Sequence, residues 1–172
     1  MAYAEITLKV PQELKYQLVY RQERGEPFAA GPEEGLLFSL AVGPGWVWRQ
    51  RRALGAALGK AGLVKAFLKL CTKNRLFYCM LKQGQVAATG WCSVSFCKYY
   101  KVEPGSAVIG PIWTAEHLRG RGIATLALKQ ALNALMQRSV RIFYIDTAGD
   151  NLASQRVIAK CGFGPPLALY IR

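Results

Sequence analysis

A short turn, Arg119-Gly120-Arg121-Gly122, limits the folds open to this chain more than any other segment. It stands between an apolar, β-rich run at 106–114 and a run at 123–138 whose apolar side chains recur at helical spacing. Glycine lets a ligand approach the backbone closely, and the unpaired amides in the first turn of a helix attract anions. The two arginines add charged donors that suit a pyrophosphate or a ribose phosphate. We therefore predict a phosphate cradle at a junction of strand and helix.

Other phosphate motifs fit this turn less well. A nucleoside-triphosphate loop needs a lysine followed by serine or threonine, and a dinucleotide fold needs a third glycine and a later acidic residue for the ribose. Neither signature is present around the turn. A nucleic-acid contact, or a tight turn with incidental arginines, stays open at this point of the argument.

Strand and helix patterns alternate through the rest of the chain, without internal repeats. Residues 4–10 alternate like a half-buried strand, residues 11–23 are rich in helix formers, and Gly25 ends that segment. Residues 36–42 fit either a strand or a buried helical turn. The later patterns predict a β-hairpin at 75–82 and 86–97, a strand at 141–146, a capped helix at 152–161 and a last strand at 167–171.

Residues 45–70 form a basic apolar block, with six lysines and arginines and no acidic residue. Gly55, Gly59 and Gly62 each cost about 1 kcal/mol relative to alanine inside a helix, so we predict two short helices here rather than one long helix. Such a surface could rest on a membrane or hold an anionic substrate. The alternative is an ordinary lid with a solvated basic side.

Composition limits the class of protein. With 172 residues, 52% of them hydrophobic and 19% charged, the chain is expected to form one folded α/β domain, 1–172. Its net charge of +13 favours polyanionic partners. Five cysteines without metal-ligand spacing predict reduced thiols, a cytoplasmic location and no metal. The first ten residues do not resemble a secretion signal, and no apolar stretch is long enough to span a bilayer.

Two sequence blocks carry a resemblance to a known family. The segment Arg119-x-x-Gly122-x-Ala124, after the strand pattern at 107–114, resembles the acyl-coenzyme A loop of the Gcn5-related N-acetyltransferase (GNAT) family. A second block, which runs from Asp150-Asn151-Leu152-Ala153-Ser154 to Gly162-Phe163, resembles the next motif of that family. The two blocks stand in the family's order, and the joint match is more specific than either block alone.

The resemblance implies a mixed, mostly antiparallel sheet flanked by helices, with central strands at 107–114 and 141–146 that splay apart. Acetyl-coenzyme A is then the cosubstrate, with its pantetheine arm in the gap. The residues that the resemblance assigns to it are Ile112, Trp113, Thr114, Arg119, Gly120, Arg121, Gly122, Ile123, Ala124, Asn151 and Ser154. An amide of the strand at 112–114 would also polarise the thioester carbonyl.

The catalytic residues are less clearly marked. Many members of the family place a tyrosine on the last helix to protonate the departing thiolate, but the corresponding residue here is Ile158. Ser154, one turn earlier on the same helix face, is the candidate acid, and the thiolate could also leave unaided. Asp146, at the end of a strand beside the expected splay, is the first candidate base. His117, the only histidine, and Glu103 are the alternatives.

The resemblance therefore predicts an N-acetyltransferase that moves an acetyl group directly from coenzyme A to a primary amine. Residues 109–114, the Asn151 helix start and the basic block resemble acetyltransferases of surface-polysaccharide biosynthesis. An amino sugar is thus one candidate acceptor, and peripheral contact with the inner face of the membrane is a candidate location. Small amines and protein amino groups stay open. Acceptor selectivity is expected from residues 45–70, from the hairpin and from Trp91, Tyr99, Tyr100 and Trp113.

Two rival functions and one question of assembly accompany this prediction. The first rival is a non-catalytic GNAT-like binding module whose basic block engages nucleic acid or membrane; for the enzyme, no nucleic-acid partner is expected. The second is an acyltransferase that uses longer acyl chains. Residues 164–172 supply one strand where two are common in the family, so either a partner chain completes the sheet, as in a homodimer, or the chain is trimmed.

Overall fold

The computed structural model describes residues 15–29 and 35–171, and seven strands in these ranges form one sheet. Their order across the sheet is β2-β3-β4-β5-β6-β1-β7. The strands are β1 (Tyr16–Glu23), β2 (Leu36–Ala41), β3 (Arg75–Lys82), β4 (Gln85–Val94), β5 (Ala107–Thr114), β6 (Ile142–Ala148) and β7 (Ala168–Ile171). All neighbours are antiparallel except β5 and β6, which run parallel. The predicted mixed, mostly antiparallel sheet is confirmed.

Helices flank both faces of the sheet. Those within the described ranges are α1 (Pro44–Arg49), α2 (Arg51–Leu70), α3 (Ile123–Met136) and α4 (Leu152–Lys160). Side chains of α3 and α4 share one buried cluster with Tyr78, whereas α1 and α2 share a second cluster with Phe77. Because successive side chains of a strand point to opposite faces, these two neighbours place the two helix pairs on opposite sides. Across 15–29 and 35–171, none of the helices combines the length and apolar character needed to cross a bilayer.

The segment 16–23, predicted as part of a helix, is strand β1, so that prediction is wrong. Leu18 and Tyr20 pack towards α3 and α4, while Val19 packs with Val108 and Tyr144 on the other face. A strand that buries side chains on both faces lacks a regular polar alternation, and its aromatic residues favour a strand over a helix. The predicted strand at 4–10 and the predicted helix start at 11–14 lie outside the described residues.

β1 lies inside the sheet rather than at its edge. It pairs with β6 on one side and with β7 on the other, both in antiparallel register. The last strand, β7, therefore pairs with β1, and β2 and β7 are the two edge strands of the described sheet. Completion of the sheet by a partner chain stays a prediction.

The other predicted elements agree closely with the structure. The ambiguous run at 36–42 is strand β2, and the hairpin of β3 and β4 turns through Gln83 and Gly84 at φ 49° and 75°. Positive φ at both central residues is the geometry that two-residue hairpins favour. The basic block forms α1 and α2, and α2 is interrupted at Gly59, where φ is 69° and ψ 172°. In place of the two short helices predicted, the block thus contains one helix of 6 residues and one of 20 residues that is broken at Gly59.

A close approach between β3 and β4 requires a glycine. The ring of Tyr78 lies across Gly90, where an added Cβ atom would stand 2.3 Å from the ring. Tyr78 is fully buried, and its hydroxyl has no hydrogen-bond partner among the described residues. Because interiors are close-packed, the ring has no room to withdraw.

We expect Gly90→Ala to lower the free energy of unfolding by roughly 1–3 kcal/mol, because overpacking forces the Tyr78 ring or the β4 backbone to move. Urea unfolding measures the change. Gly55→Ala is the matched control: Gly55 lies inside α2 with no atom within 4 Å of an added Cβ. It should raise the free energy of unfolding by about 0.5–1 kcal/mol. Equal stability changes in the two variants would contradict the packing described here.

Candidate active site

The parallel strands β5 and β6 diverge in the middle of the sheet. They pair over three residues only, and the last pair is Ile109 opposite Ile145. Beyond it, β5 stays paired with β4 as far as Thr114, and β6 stays paired with β1. Each strand therefore keeps one partner while a gap opens between the two. The predicted splay of these strands is confirmed.

The divergent half of β5 presents main-chain groups to this gap. The register with β4 shifts between Gly90 and Cys92, which places Gly110 and Pro111 in a bulge opposite Trp91. Bulges bend a strand and redirect the residues that follow. The residues that follow are the predicted donor-binding residues Ile112, Trp113 and Thr114. Their edge towards β6 carries no strand partner, so it can pair with an extended ligand that contains amide groups.

The glycine turn leads from β5 to the start of α3. Gly120 and Gly122 have φ angles of 76° and 79°, and Gly122 is the N-cap of α3. No atom lies within 4 Å of a Cβ built on either glycine, so a ligand can approach the backbone directly. Ile123 is buried in the core and fixes the first turn, which contains no acidic residue. The exposed amides and the positive end of the helix dipole therefore suit an anion.

Two arginines extend this anionic site. Arg119 donates from Nε to the carbonyl oxygen of Thr114 at 3.4 Å, which ties the turn to the end of β5. Arg121 is exposed beside the two glycines, and Ala124 follows in the first turn of α3. Guanidinium groups bind phosphate oxygens with two parallel hydrogen bonds. The turn and the open strand edge together fit the diphosphate and the amide-containing arm of coenzyme A.

The start of α4 is built by Asn151. Its Oδ1 accepts a hydrogen bond from the Ser154 amide at 3.1 Å, which confirms the predicted helix cap. Ser154 is half-buried in the first turn, and Ile158, one turn later, is buried in the core. Ile158 carries no hydroxyl, and Ser154 is the residue of α4 that does.

Asp146 is the first residue of β6 after the strands part. Its Oδ2 accepts a hydrogen bond from the Tyr100 hydroxyl at 3.0 Å, and its Oδ1 accepts one from the Tyr170 hydroxyl at 3.3 Å. Burial, and then the nearby carboxylate, raise the pKa of Tyr100, which therefore stays protonated and donates. No lysine or arginine within 15–29 and 35–171 forms an ion pair with Asp146. Within these ranges the carboxylate is held by two tyrosine hydroxyls rather than by a cation.

Tyrosine rings surround this carboxylate on the sheet face opposite α3 and α4. Tyr99 stacks on Tyr170 with ring centres 5.5 Å apart, and Tyr100 lies 5.8 Å from Tyr170 and 6.2 Å from Tyr144. Aromatic faces attract cations, and a carboxylate beside them strengthens that attraction. We call Asp146 with these four tyrosines the Asp146 cluster. Its chemistry suits a protonated amine.

The two alternative bases lie in different surroundings. Glu103 accepts hydrogen bonds from Arg21 Nε at 3.0 Å and from the Tyr144 hydroxyl at 2.9 Å. These bonds, the one from Arg21 first, lower the pKa of Glu103 and make it a poorer proton acceptor. His117 is exposed in a 3₁₀ turn just before the glycine turn. No hydrogen bond in the described part of the chain joins it to the Asp146 cluster.

The cysteines are separate thiols. Cys79, Cys92 and Cys161 are buried, and burial raises the pKa of each thiol to about 12. Since the thiolate is the nucleophilic form, these three are unsuited to carry an acyl group. Cys71 is exposed, and Cys97 is half-buried near Tyr100. The described residues contain no group of side chains that could hold a metal ion.

Sequence reasoning missed the tyrosine partners of Asp146. Tyr100 was expected only to influence acceptor selectivity, and Tyr170 was not expected near the site. The place of Tyr170 depends on β7 pairing with β1, which the helix prediction for 16–23 concealed. The adjacent tyrosines at 99 and 100, close to the predicted splay, were the available signal.

Comparison with known proteins agrees with this geometry. A sequence model described as the acetyltransferase (GNAT) family matches residues 59–163. The fold is similar to a GCN5-related N-acetyltransferase from Sphaerobacter thermophilus, with a TM-score of 0.65 and 19% identity over 92% of this chain and 50% of the other. A GNAT-family acetyltransferase from Colwellia psychrerythraea has a TM-score of 0.64 and 19% identity over 92% of this chain and 55% of the other. This chain thus spans about half the length of these two proteins.

A third similar structure is matched over nearly its whole length. It is an aminoglycoside antibiotic 6'-N-acetyltransferase from Acinetobacter haemolyticus, with a TM-score of 0.57 and 20% identity over 77% of this chain and 93% of the other. At these identities the likenesses concern the fold. No curated protein sequence matches the chain significantly.

We expect Gly122→Glu to abolish the binding of coenzyme A measured by calorimetry. The substitution adds bulk and negative charge where a diphosphate would lie, and it adds strain at a positive φ. Gly25→Glu is the control, because it makes the same charge change at an exposed loop glycine with open space around it. Circular dichroism checks that both variants fold. Unchanged affinity in Gly122→Glu would refute the assignment of the turn.

Proposed function

The chain belongs to the acetyltransferase (GNAT) family, and we propose that it transfers an acetyl group directly from acetyl-coenzyme A to a primary amine. One observation carries the proposal. The gap between β5 and β6 opens with the glycine turn at the end of one strand and with Asp146 on the other. A donor on the β5 side and an acceptor on the β6 side would therefore meet between the two strands.

Donor binding would rest mainly on the backbone. The amides from Gly120 to Ala124, with Arg119 and Arg121, would hold the diphosphate, and the open edge at 112–114 would pair with the pantetheine amides. Acetyl-coenzyme A supplies the acetyl group as a thioester. An amide of 112–114 would donate to the carbonyl oxygen of that group, where negative charge develops. Asn151, the N-cap of α4, would contact the pantetheine arm.

Asp146 would act as the general base. An ammonium group must lose a proton before its nitrogen can attack, and a carboxylate within hydrogen-bond reach can accept that proton. Tyr100 and Tyr170 orient the two carboxylate oxygens through their hydroxyl groups. The nitrogen would then form its bond to the acetyl carbon as the bond from carbon to sulfur breaks. The second proton that the nitrogen loses would replace the proton that the departing sulfur takes from Ser154 or water. No enzyme group carries the acetyl in this scheme.

The proton for the departing sulfur would come from Ser154 or from water. Ser154 is in the first turn of α4, half-buried, and its amide is already engaged by Asn151. Its hydroxyl would take the role of the tyrosine that this helix lacks. Because a thiol has a reference pKa of about 8.5, the thiolate also leaves acceptably without such help, so the contribution of Ser154 is moderate.

For the acceptor we propose an amino sugar. The Asp146 cluster offers a carboxylate and aromatic faces to a cationic group, and Glu103 lies beside it, bonded to Tyr144. The structural neighbours include an aminoglycoside 6'-N-acetyltransferase, and aminoglycosides are antibiotics built from amino sugars. Both observations support an acceptor that presents its amine on a polar ring.

We expect Asp146→Asn to lower kcat by roughly 100-fold or more, the usual contribution of a general base. Steady-state release of free thiol, with acetyl-coenzyme A and an amino-sugar acceptor, measures it. Glu103→Gln is the matched carboxylate control, and because its ion pair is exposed, we expect less than about a three-fold effect. If Glu103→Gln were the more damaging change, the base would be misassigned.

We expect Ser154→Ala to lower kcat roughly ten-fold while the KM for acetyl-coenzyme A stays nearly constant, since the hydroxyl acts on the leaving group rather than in binding. The same thiol-release assay gives both constants. Ala153→Ser, a neighbouring exposed position on α4, controls for changes to the helix start. Equal kcat in Ser154→Ala and the unmodified protein would remove Ser154 from the mechanism.

A further inference from the structure

The cations of this chain are concentrated in one part of the sequence that the proposed reaction does not use. Residues 35–102 contain eleven lysines and arginines and no aspartate or glutamate. Within the described ranges, both ion pairs belong to Arg21, which lies outside this stretch. The charge of α1, α2 and the hairpin therefore has no acidic partner within the stretch itself.

The outer face of α2 after Gly59 is apolar along its centre. Ala66 and Leu70 are buried against the sheet, whereas Val64 is 59% exposed and Leu68 is 62% exposed. Residues four apart lie on one face of a helix, so Val64 and Leu68 form a continuous stripe that points away from the sheet. Phe67 is also exposed at the side of this stripe. An ordinary solvated helix face carries its charges at the centre instead.

Lysines border the stripe on both sides. At 100° per residue, Lys65 and Lys69 lie on one flank of the Val64–Leu68 stripe and Lys60 lies on the other. All three are exposed. We call the stripe with these lysines the α2 outer face. Apolar residues at the centre of a helix face with cations along its borders are typical of helices that lie in the plane of a membrane surface.

The cations at the end of α2 repel one another. Partial burial, and then the charges of Arg75 and Lys65, lower the pKa of Lys69. The Lys69 ammonium lies 4.9 Å from the centre of the Trp91 ring. An anionic surface would relieve this repulsion, because each lysine would gain an opposite charge.

The helix before α2, α1, carries an exposed tryptophan beside an arginine. Trp48 on α1 is 64% exposed, and the guanidinium of Arg51 lies 4.8 Å from its ring centre. Tryptophan beside a cation is common where a protein meets lipid headgroups, because the ring is apolar and its N–H is polar. α1 packs directly against α2 through the second core cluster.

We propose that the α2 outer face docks on an anionic lipid bilayer, with Val64 and Leu68 at the boundary of the acyl chains and the bordering lysines on the headgroup phosphates. Nucleic acid would also attract the lysines, but it offers no apolar layer to aliphatic side chains, so the stripe favours lipid. The docking is independent of the proposed acetyl transfer and can be measured without any substrate.

Sedimentation with lipid vesicles tests the proposal on the full chain. Vesicles of equal parts phosphatidylglycerol and phosphatidylcholine should bind the protein, and pure phosphatidylcholine vesicles should bind it at least about ten-fold more weakly. Val64→Ser with Leu68→Ser should weaken binding to the anionic vesicles at least about ten-fold. Lys65→Gln with Lys69→Gln should do so to a similar extent.

Two control variants test whether binding depends on the α2 outer face itself or only on total charge and exposed apolar residues. Leu167→Ser removes a leucine that is 64% exposed next to β7, at the opposite edge of the sheet, and should leave binding unchanged. Lys15→Gln with Arg138→Gln removes the same charge from exposed sites elsewhere and should weaken binding less than two-fold. Circular dichroism verifies that the variants fold. If the serine variant does not fold, the proposal is tested by comparing the lysine variant with its charge control.

Three results would overturn the proposal. The first is equal binding to neutral and anionic vesicles. The second is a loss in the serine variant no larger than in Leu167→Ser. The third is binding to single-stranded RNA that is tighter than binding to the anionic vesicles and unaffected by the serine changes, which would identify a polyanion contact without lipid insertion.

Discussion

The pairing of β6 with β1 is the interaction on which the candidate site depends. β6 leaves β5 after Ile145, and a strand end without a partner would expose its hydrogen-bonding groups. β1 supplies those partners along β6 as far as Ala148, and β4 does the same for β5 as far as Thr114. The gap can therefore stay open without loss of main-chain hydrogen bonds on the outer sides of both strands.

This arrangement also explains why the glycine turn and Asp146 lie at the same gap. The bulge at Gly110 and Pro111 bends β5 before its last residues, and the bond from Arg119 to the Thr114 carbonyl ties the glycine turn to the end of that strand. On the other strand, the alternation of side chains directs Asp146 to the face opposite α3 and α4, where the tyrosines lie. The glycine turn and Asp146 thus lie on the two sides of a single opening, as the proposed donor and acceptor sites require. The basic helices cover a different part of the sheet, over β3 and β4.

Local signals in the sequence predicted several elements around the candidate site, and long-range pairing decided the rest. The glycine turn, the Asn151 cap and the β3–β4 hairpin depend on residues close together in the chain, and each was predicted from those residues. The sequence pattern of strand β1 indicates a helix, because burial on both faces leaves no regular alternation. The wrong prediction hides Tyr170 as a partner of Asp146, since the β7 register is set by β1. The contacts between residues 100, 146 and 170 depend on this long-range pairing, and the adjacent tyrosines at 99 and 100 are the local signal that points to them.

Hydrogen exchange of the backbone amides, with and without coenzyme A, tests the central claim most directly. If the cofactor lies along the open edge of β5 and against the first turn of α3, amides at 112–114 and 120–125 will exchange more slowly when it is bound. Those of β1 and β7 will stay unchanged. Protection confined to α2 or to the outer strands, with none at 112–114, would contradict the account.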